Sequence, residues 1–387
     1  MRPGYIPFNR PYTAGSELAN LREAFDNGHL SGTGPFSARC SERLERETGS
    51  RCALLTPSGT AALELATLLA GIGPGDEVIM PSFTFVSSAN AVVLRGGVPV
   101  FVDVRPDTLN LDERRLEGAL SPRTRAVVPT HYAGVGAAMD EIGAFARAHG
   151  LLVVEDAAQA YLATYEGRPL GGIGDLGALS FHETKNVMCG EGGALLVNDE
   201  RFVERAEIVH EKGTDRRRFF RGQVDKYSWV DVGSSFPLSD VNAAILSAQL
   251  ERGDEILEKR LGIWNAYHEA FEELESRELL RRPIVPSACS HNGHLYYLLL
   301  GEAVDRERFI ADLEESGVQA VFHYVPLHGS VGGRRHGRIA GEMTNTDAAG
   351  ERLVRLPLWT AMSADETGRV VDAVHASLSR ARAGVRS

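Results

Sequence analysis

The chain has 387 residues, of which 43% are hydrophobic and 24% are charged, a composition typical of a globular enzyme. Since this length exceeds what one compact core usually holds, two domains are predicted. The net charge of −11 disfavours binding to nucleic acid or to an anionic membrane, because both require a basic surface.

The sequence indicates neither a membrane segment nor a disulfide framework. It contains no run of 18 apolar residues, and its N-terminus lacks the apolar core of a signal peptide. The cysteines at 40, 52, 189 and 289 form no CxxC pair, which disfavours both a zinc site and disulfides. We therefore expect a cytoplasmic protein that neither crosses nor enters a membrane.

The N-terminal third begins with irregular structure and then becomes periodic. The first dozen residues contain three prolines and predict an extended arm, a kind of segment that often lies on a partner subunit. Helices are predicted at 16–27 and 36–48. Apolar runs then predict strands at 52–56, 77–80, 98–103, 126–130, 151–156, 178–182 and 193–198. Between them, helices are predicted at 60–70, 86–95, 112–119 and 139–149.

This alternation predicts an α/β fold with a mainly parallel sheet of seven strands covered by helices. The short connection before the last strand makes one strand antiparallel. A ligand site is expected beyond the carboxyl ends of the strands.

The rest of the chain predicts a second, smaller α+β unit. Helices are predicted at 199–212, from about 239, across 251–279, at 305–316, and near 346–355 and 363–380, with apolar runs at 296–300 and 318–324. We place the domain boundary at residue 250. Residues 1–250 would form the large α/β domain with its N-terminal arm, and residues 251–387 the smaller C-terminal domain.

Lys185 attracts attention because lysine is scarce: the 41 basic residues comprise 4 lysines and 37 arginines. Arginine stays protonated in proteins, whereas a desolvated lysine can lose its proton and attack a carbonyl. Lys185 follows a predicted strand, and glycines at 190, 192 and 193 would let backbone approach a ligand closely. The competing interpretation is a surface lysine in a hairpin.

Two other motifs lie where predicted strands end. The turn 57–60 leads into a helix; Ser58 is a candidate N-cap, and Gly59 would let a phosphate approach the free N–H groups. Asp156 follows four apolar residues and should have a cationic group opposite it, with Gln159 near enough to bind the same ligand. The alternatives are a plain capped helix and an N-cap aspartate.

A phosphate cradle, a strand-end carboxylate and a lysine together match the needs of pyridoxal phosphate. The lysine would hold the aldehyde as a Schiff base. The carboxylate would keep the pyridine nitrogen protonated, so that the ring withdraws electrons, and the helix terminus would take the phosphate.

The segments SGTAALELA, PSFTFVSSANAV, GGVPVFVDV, PTHYAG, VVEDAAQA and SFHETKN occur in the order and spacing of the DegT/DnrJ/StrS family of sugar aminotransferases. The chain resembles this family over nearly its whole length. The resemblance implies aspartate aminotransferase fold type I, pyridoxal phosphate as cofactor, and a homodimer with shared active sites.

Within that family, SFHETKNVMCGEGGALLVND, FFRGQVDKYSWVDVGSS and VFHYVPLHG most resemble transaminases acting on dTDP-4-keto-6-deoxyglucose. These enzymes use L-glutamate to make a 4-amino-4,6-dideoxyhexose. We favour the galacto over the gluco product, although the sequence does not show whether the new amine is axial or equatorial.

Carried over by motif, the resemblance implies individual roles. Lys185 would bind the cofactor and act as general acid and base, Asp156 would pair with the pyridine nitrogen, and Gln159 would contact the phenolic oxygen. Phe85 would stack on the cofactor ring. The phosphate would be held by Gly59, Thr60 and Ser180.

One departure concerns a contact from the neighbouring subunit. Many relatives place an asparagine of the partner near the cofactor phosphate, where this chain reads SSFPLSD and has Pro237. A proline side chain cannot donate that hydrogen bond. Ser234 or Ser235 is a candidate replacement.

The basic loop 212–226 is either a solvated surface loop or a set of cations for a nucleotide diphosphate. The segment HYVPLH could suggest a metal site, but the spacing of its histidines suits no helical ligand pair, so no metal is expected. The candidate substrate contacts are Lys212, Arg221, Tyr227, His323 and Tyr324.

Alternative functions remain open at this point. Another enzyme class on the same fold, such as a lyase or desulfurase, is one, although no reactive-cysteine motif supports the latter. A second is a transaminase acting at C3 or on a UDP-linked sugar. A third is a non-catalytic regulator that senses pyridoxal phosphate; such regulators usually carry a basic DNA-binding domain, for which the chain has no room.

Overall fold

A computed structural model describes residues 4–385. Its strands are β1 Cys52–Thr56, β2 Glu77–Pro81, β3 Val98–Val102, β4 Thr124–Val127, β5 Leu152–Asp156, β6 Thr164–Tyr165, β7 Arg168–Pro169, β8 Leu176–Ser180, β9 Gly193–Val197, β10 Leu280–Arg281, β11 Cys289–Ser290, β12 Tyr296–Leu300, β13 Arg338–Ile339 and β14 Leu353–Leu356.

The helices are α1 Glu17–Asp26, α2 Pro35–Thr48, α3 Gly59–Leu69, α4 Val86–Val93, α5 Leu116–Ala119, α6 Met139–His149, α7 Val203–His210, α8 Arg216–Phe220, α9 Asp240–Glu251, α10 Gly253–Ala270, α11 Glu272–Ser276, α12 Arg306–Glu315, α13 Val331–His336, α14 Thr344–Arg352 and α15 Ala364–Val385. Short 3-10 turns lie at Glu113–Arg115, Tyr132–Gly134, Glu200–Phe202 and Leu327–Gly329. Within residues 4–385, no helix has the length and apolar character needed to cross a membrane.

The large sheet has the strand order β1-β9-β8-β5-β4-β2-β3-β13. Every neighbouring pair from β8 to β13 is parallel, and β9 runs antiparallel to both β1 and β8. The predicted α/β fold with a mainly parallel sheet and one antiparallel strand is therefore confirmed. The predicted count of seven strands is wrong, because β13 adds an eighth; it has only two residues and lies in a Gly- and Arg-rich segment without an apolar run.

The strands of this sheet are apolar on both faces because helices cover both. In β1, β2 and β9 all five residues are buried, the pattern expected of strands that helices enclose on both faces. At the start of α3, the Ser58 Oγ accepts a hydrogen bond from the Ala61 N–H at 3.1 Å, so the predicted N-cap is present.

The C-terminal part of the chain packs around a smaller sheet, β10-β12-β14. Helices α10, α12 and α15 supply its core, which includes Trp264, Phe309 and Val374. The apolar run at 318–324 forms no strand; it makes isolated bridges, Val318 with Ile6 and Val321 with β14. The division of the chain at residue 250 stays a prediction.

Part of the N-terminal arm packs on the chain's own C-terminal region. Ile6 is 1% exposed, its N–H donates to the Gly317 carbonyl at 2.9 Å, and its carbonyl accepts from the Gln319 N–H at 2.9 Å. Residues 1–3 lie outside the described residues. At Ile6 the arm therefore stabilises the fold of its own chain.

Gly193, the first residue of β9, allows that strand to approach the turn before α3. A Cβ built on Gly193 would lie 2.5 Å from the Ser58 carbonyl carbon and 2.6 Å from the Gly59 nitrogen. Both obstacles are backbone atoms, so they cannot rotate away.

We expect Gly193→Ala to lower the free energy of unfolding by roughly 1–3 kcal/mol, measured by urea denaturation.

Gly262 in α10 provides the matched control, because a Cβ there meets no atom within 4 Å. Gly262→Ala should raise the free energy of unfolding by about 0.5–1 kcal/mol, since alanine is the better helix former. Equal effects of the two substitutions would contradict the steric explanation.

Candidate active site

A cavity of about 650 Å³ opens at the carboxyl ends of the parallel strands. Its walls come from the turns that follow β1 and β2, from the ends of β5 and β8, and from the C-terminal part of the chain. Nine of the twelve predicted site residues line it: Gly59, Thr60, Phe85, Asp156, Gln159, Ser180, Lys185, His323 and Tyr324. The fold thus brings together residues that lie as much as 265 positions apart in the sequence.

Lys185 lies on the turn after β8, where its backbone N–H donates to the His182 carbonyl at 2.9 Å. Desolvation lowers the pKa of its amine from 10.5 to about 8; Asp156 opposes this change and Arg355 adds to it. Within residues 4–385, its Nζ makes no hydrogen bond or ion pair. A larger fraction of this amine than of an exposed lysine is therefore neutral and nucleophilic near neutral pH.

Asp156 ends β5 and is held by a buried chain of hydroxyl groups. The Ser88 Oγ donates to the Asp156 Oδ2 at 2.6 Å. Behind Ser88, the Thr84 Oγ1 lies 3.4 Å from the Ser88 Oγ and 3.0 Å from the Thr130 Oγ1. An ionised carboxylate can only accept hydrogen bonds, so it fixes the direction of donation along this chain. The network therefore fixes the orientation of the Asp156 carboxylate.

An aromatic wall lies beside this carboxylate. The Gln159 Nε2 donates to the Tyr324 hydroxyl at 2.7 Å, and its Oε1 accepts from the Ala133 N–H at 2.7 Å. The Tyr324 ring stacks on His323 with centroids 3.7 Å apart, and the His323 Nδ1 lies 2.8 Å from the Tyr132 hydroxyl. Burial lowers the pKa of His323 well below its usual value, so this imidazole is neutral.

The start of α3 supplies an anion-binding turn. A Cβ on Gly59 would lie 2.8 Å from the Ser180 Cβ, so only glycine lets the turn pack this closely on the end of β8. The Thr60 Oγ1 lies 2.7 Å from the Ser87 Oγ. Free N–H groups of the first helical turn and three hydroxyl-bearing side chains thus line the same end of the cavity, an arrangement suited to phosphate.

The sequence did not single out Ser87, Arg260, His294 and Arg355, which line the cavity, or Ser88, which binds Asp156 from behind. The two serines lie inside the motif PSFTFVSSANAV. Ser88 follows Phe85 by three positions, so helical spacing could have predicted that Ser88 and Phe85 lie on one face of the helix. The other three belong to the C-terminal part of the chain. Only the tertiary fold brings them to the cavity.

Three predicted substrate contacts lie away from this cavity as the described residues form it. The side chain of Arg221 pairs with Glu207 on α7, with its Nη1 2.8 Å from the Glu207 Oε2. The Tyr227 ring packs against Phe219 with centroids 5.9 Å apart, and Lys212 donates its backbone N–H to a nearby carbonyl. Their contact with a substrate stays a prediction.

Pro237 also lies away from the cavity that contains Lys185. It lines a separate depression together with Thr33 and Leu238, and it packs on Gly32, where a Cβ would lie 2.4 Å from the Pro237 Cβ. The proposed replacement of the partner's asparagine by Ser234 or Ser235 stays a prediction.

Comparison with known proteins gives a consistent result. Residues 11–375 match the DegT/DnrJ/EryC1/StrS aminotransferase family. The spore coat polysaccharide biosynthesis protein SpsC of Bacillus subtilis (strain 168) is 35% identical over 381 residues, which cover 96% of this chain and 97% of SpsC.

Two solved structures resemble the whole chain. The aminotransferase TlmJ from Streptoalloteichus hindustanus is 32% identical with a TM-score of 0.87, covering 97% of this chain and 99% of TlmJ. DesI, solved in the presence of its TDP-sugar product, is 29% identical with a TM-score of 0.88, covering 99% of this chain and 95% of DesI.

The pKa of Lys185 can be tested without cofactor by limited labelling with an amine-reactive anhydride. Only the neutral amine reacts, so the labelling rate of Lys185 should reach half its plateau near pH 8. Lys259 is the internal control, because its bond to Glu255 raises its pKa above 10.5. Mass spectrometry of the two peptides gives both rates; parallel pH profiles would contradict the desolvation of Lys185.

The hydroxyl chain behind Asp156 can be tested with Ser88→Ala. Loss of a hydrogen bond to a charged group costs about 1.5–3 kcal/mol, so turnover should fall roughly 10- to 100-fold. Because the Asp156 carboxylate then loses its hydroxyl donor, the pH dependence of the bound cofactor's absorbance should shift. Thr84→Val, one hydroxyl further away, should cause a smaller change in the same direction. An unchanged pH profile in Ser88→Ala would refute this role.

Proposed function

We propose, from the premise that this chain belongs to the DegT/DnrJ/EryC1/StrS aminotransferase family, that it aminates C4 of dTDP-4-keto-6-deoxyglucose with L-glutamate as donor. The chain is a pyridoxal-phosphate-dependent sugar aminotransferase. The product would be a dTDP-4-amino-4,6-dideoxyhexose of the galacto series. The observation that carries the proposal is a desolvated lysine that shares one cavity with the Asp156 carboxylate.

The cavity fits pyridoxal phosphate in volume and in chemistry. A volume of about 650 Å³ lies in the usual range for cofactor sites. We assign the aldehyde to Lys185, the pyridine nitrogen to Asp156 and the ring face to Phe85. The phenolic oxygen would lie against Gln159, and the phosphate against Gly59, Thr60 and Ser180. When bound, the cofactor supplies an electron sink for negative charge on the substrate carbon.

Asp156 fits its role because it is 4% exposed and forms no ion pair within residues 4–385. A buried carboxylate without a cation is costly, and a protonated pyridine nitrogen would supply that cation. Ser88, which donates to its Oδ2 at 2.6 Å, holds the carboxylate in position for this partner.

Lys185 would carry the proton in both half-reactions. As a neutral amine it accepts the proton from the α-carbon of the donor, and as an ammonium it returns a proton at a neighbouring carbon. A pKa of about 8 leaves both forms populated near neutral pH, which suits a group that must act alternately as base and acid. The aromatic wall of His323 and Tyr324 would contact the sugar.

The choice of substrate is supported by two of the similar proteins. DesI was solved with a TDP-sugar product, and the name of SpsC assigns it to polysaccharide biosynthesis. The segments of this chain that resemble C4 transaminases narrow the choice to a dTDP-4-keto sugar. Amination at C3, or of a UDP-linked sugar, is the alternative within the same family.

We further propose a homodimer with shared active sites, in the cytoplasm. The segment 219–232 exposes large apolar side chains; Trp229 is 81% exposed and Phe220 is 68% exposed, as expected of a surface that a partner covers. A second subunit could bring Lys212, Arg221 and Tyr227 to the cavity. The four free cysteines suit a reducing compartment.

The proposal is tested by incubating the holoenzyme with dTDP-4-keto-6-deoxyglucose and L-glutamate. We expect a 4-amino sugar by NMR, with a small H3–H4 coupling for the galacto epimer. Lys185→Ala and Lys185→Arg should lose turnover altogether, the latter because arginine stays protonated. Normal multiple turnover in either variant would contradict the mechanism.

The same assay separates the alternatives. A wild-type enzyme that aminates only a 3-keto sugar or a UDP-linked sugar would keep the reaction class and replace the substrate. A protein that binds pyridoxal phosphate yet turns over no keto sugar in such a panel would refute the proposed reaction.

A further inference from the structure

The residue that follows Lys185 is held at both ends of its side chain. Asn186 is 8% exposed. Its Nδ2 donates to the Asn292 carbonyl at 2.8 Å, and its Oδ1 lies 3.0 Å from the His294 Nδ1. A backbone carbonyl can only accept, so the NH2 group of Asn186 must face Asn292 and its amide oxygen must face His294. The His294 Nδ1 is therefore the donor of this hydrogen bond.

His294 acts as a neutral donor. It lines the same cavity as Lys185, and burial, together with the charges of Lys185 and Arg260, lowers its pKa well below the usual value. A neutral imidazole has a single N–H group. His294 gives that group to the amide oxygen of Asn186.

The segment that contains His294 is itself fixed to two parts of the chain. The Asn292 Nδ2 donates to the carbonyls of Gln159 and Tyr161 at 2.9 and 2.8 Å, which ties the segment to the loop after β5. The Arg260 Nη2 donates to the His294 carbonyl at 2.6 Å, which ties it to α10. The imidazole is therefore presented from a rigid support.

The two sides of the Lys185 turn are held differently. Before Lys185, the His182 Nδ1 bonds to the Thr184 Oγ1 at 2.9 Å, which is a local contact on an exposed stretch. After Lys185, the two bonds of the Asn186 side chain reach 106 and 108 positions along the chain. The tertiary structure therefore acts on this turn through Asn186.

We propose that His294 is a positioning residue for Lys185 and acts through Asn186. A planar peptide bond joins Asn186 to Lys185, so holding the asparagine limits the directions in which the lysine side chain can point. A neutral donor does this without placing a further cation beside the amine. The inference rests on the proposed assignment of Lys185 to the cofactor aldehyde, and it does not depend on which keto sugar is aminated.

The test measures how fast Lys185 of the cofactor-free protein reacts with added pyridoxal phosphate, followed by the absorbance of the bound cofactor. No sugar or amino acid is present. His294→Leu removes the donor and should slow this reaction about 10- to 100-fold, because a misplaced nucleophile loses rate. His294→Asn places an amide N–H near the position of Nδ1 and should restore the rate to within about threefold of wild type.

Pyridoxamine phosphate separates positioning from binding. It carries an amine in place of the aldehyde, so it can occupy the cavity without reacting with Lys185. Its Kd should stay within about threefold of wild type in His294→Leu, because the substitution removes no contact with the cofactor.

His375→Leu is the control for a general structural effect. The His375 Nε2 bonds to the Ala270 carbonyl at 3.1 Å, and neither residue belongs to the lining of the cavity. This variant also loses a histidine bond in the C-terminal part of the chain, yet it should react with pyridoxal phosphate at the wild-type rate.

A double-mutant cycle tests the route through Asn186. Asn186→Ala removes the same link from its other end, so it should slow the reaction as much as His294→Leu does. The double variant should be no slower than either single variant, because both substitutions break one connection. Asn186→Ala also carries the test if His294→Leu does not fold.

The outcomes separate this inference from the proposed function. A His294→Leu variant that reacts at the wild-type rate overturns the inference alone, and so do additive effects in the cycle. A loss of affinity for pyridoxamine phosphate that matches the loss of rate overturns it as well, because His294 would then bind the cofactor directly. A wild type that does not react with pyridoxal phosphate would overturn the assignment of Lys185 and, with it, this inference.

Discussion

The chemistry of this protein depends on removing water from one amine without giving it an anionic partner. Lys185 meets that condition because it lies at the end of β8, inside a cavity closed from the other side by the C-terminal part of the chain. Its pKa falls to about 8 through desolvation, with Asp156 near enough to act on it. An ion pair at hydrogen-bonding distance would have kept the amine protonated and unreactive. The sheet brings the two groups near each other. Asp156 of β5 is paired in register with Ala178 of β8, and Lys185 lies on the turn that follows β8.

Two adjacent acidic residues on β5 have different roles: one stabilises the fold and the other faces the cavity. Side chains alternate between the two faces of a strand, so Glu155 and Asp156 point in opposite directions. Glu155 is fully buried; it accepts hydrogen bonds from the N–H groups of Gly171, Ile173 and Gly174 and lies 2.8 Å from the His131 Nε2. It therefore fixes the loop before β8. Asp156, one position later, is directed toward the cavity and is left for a ligand.

The sequence predicted the parts of this molecule whose signals are local. Runs of apolar residues predicted most strands of the large sheet. A serine just before a helical stretch predicted the N-cap at Ser58. Features that depend on contacts between distant segments were missed. β13 has no apolar run, and its pairing depends on a C-terminal segment reaching β3. Arg355 is one arginine among 37 in the sequence, and nothing in its neighbourhood distinguishes it until β14 places it in the cavity. Ser88 lay within a recognised motif, but its bond to Asp156 spans 68 residues.

The basic loop shows why composition alone did not decide function. Three of its four arginines form ion pairs: Arg217 and Arg221 bind the buried Glu207, and Arg218 binds Glu204. A buried carboxylate holds its partners more firmly than an exposed one, because breaking the pair leaves an uncompensated charge. To meet a nucleotide diphosphate, Arg221 would have to leave Glu207. Within the part of the chain that the structure describes, Lys212, Arg216 and Lys226 make no ion pair. Recognition of a diphosphate by this loop would therefore begin with these three cations, and the Glu207 pairs would hold the loop in place.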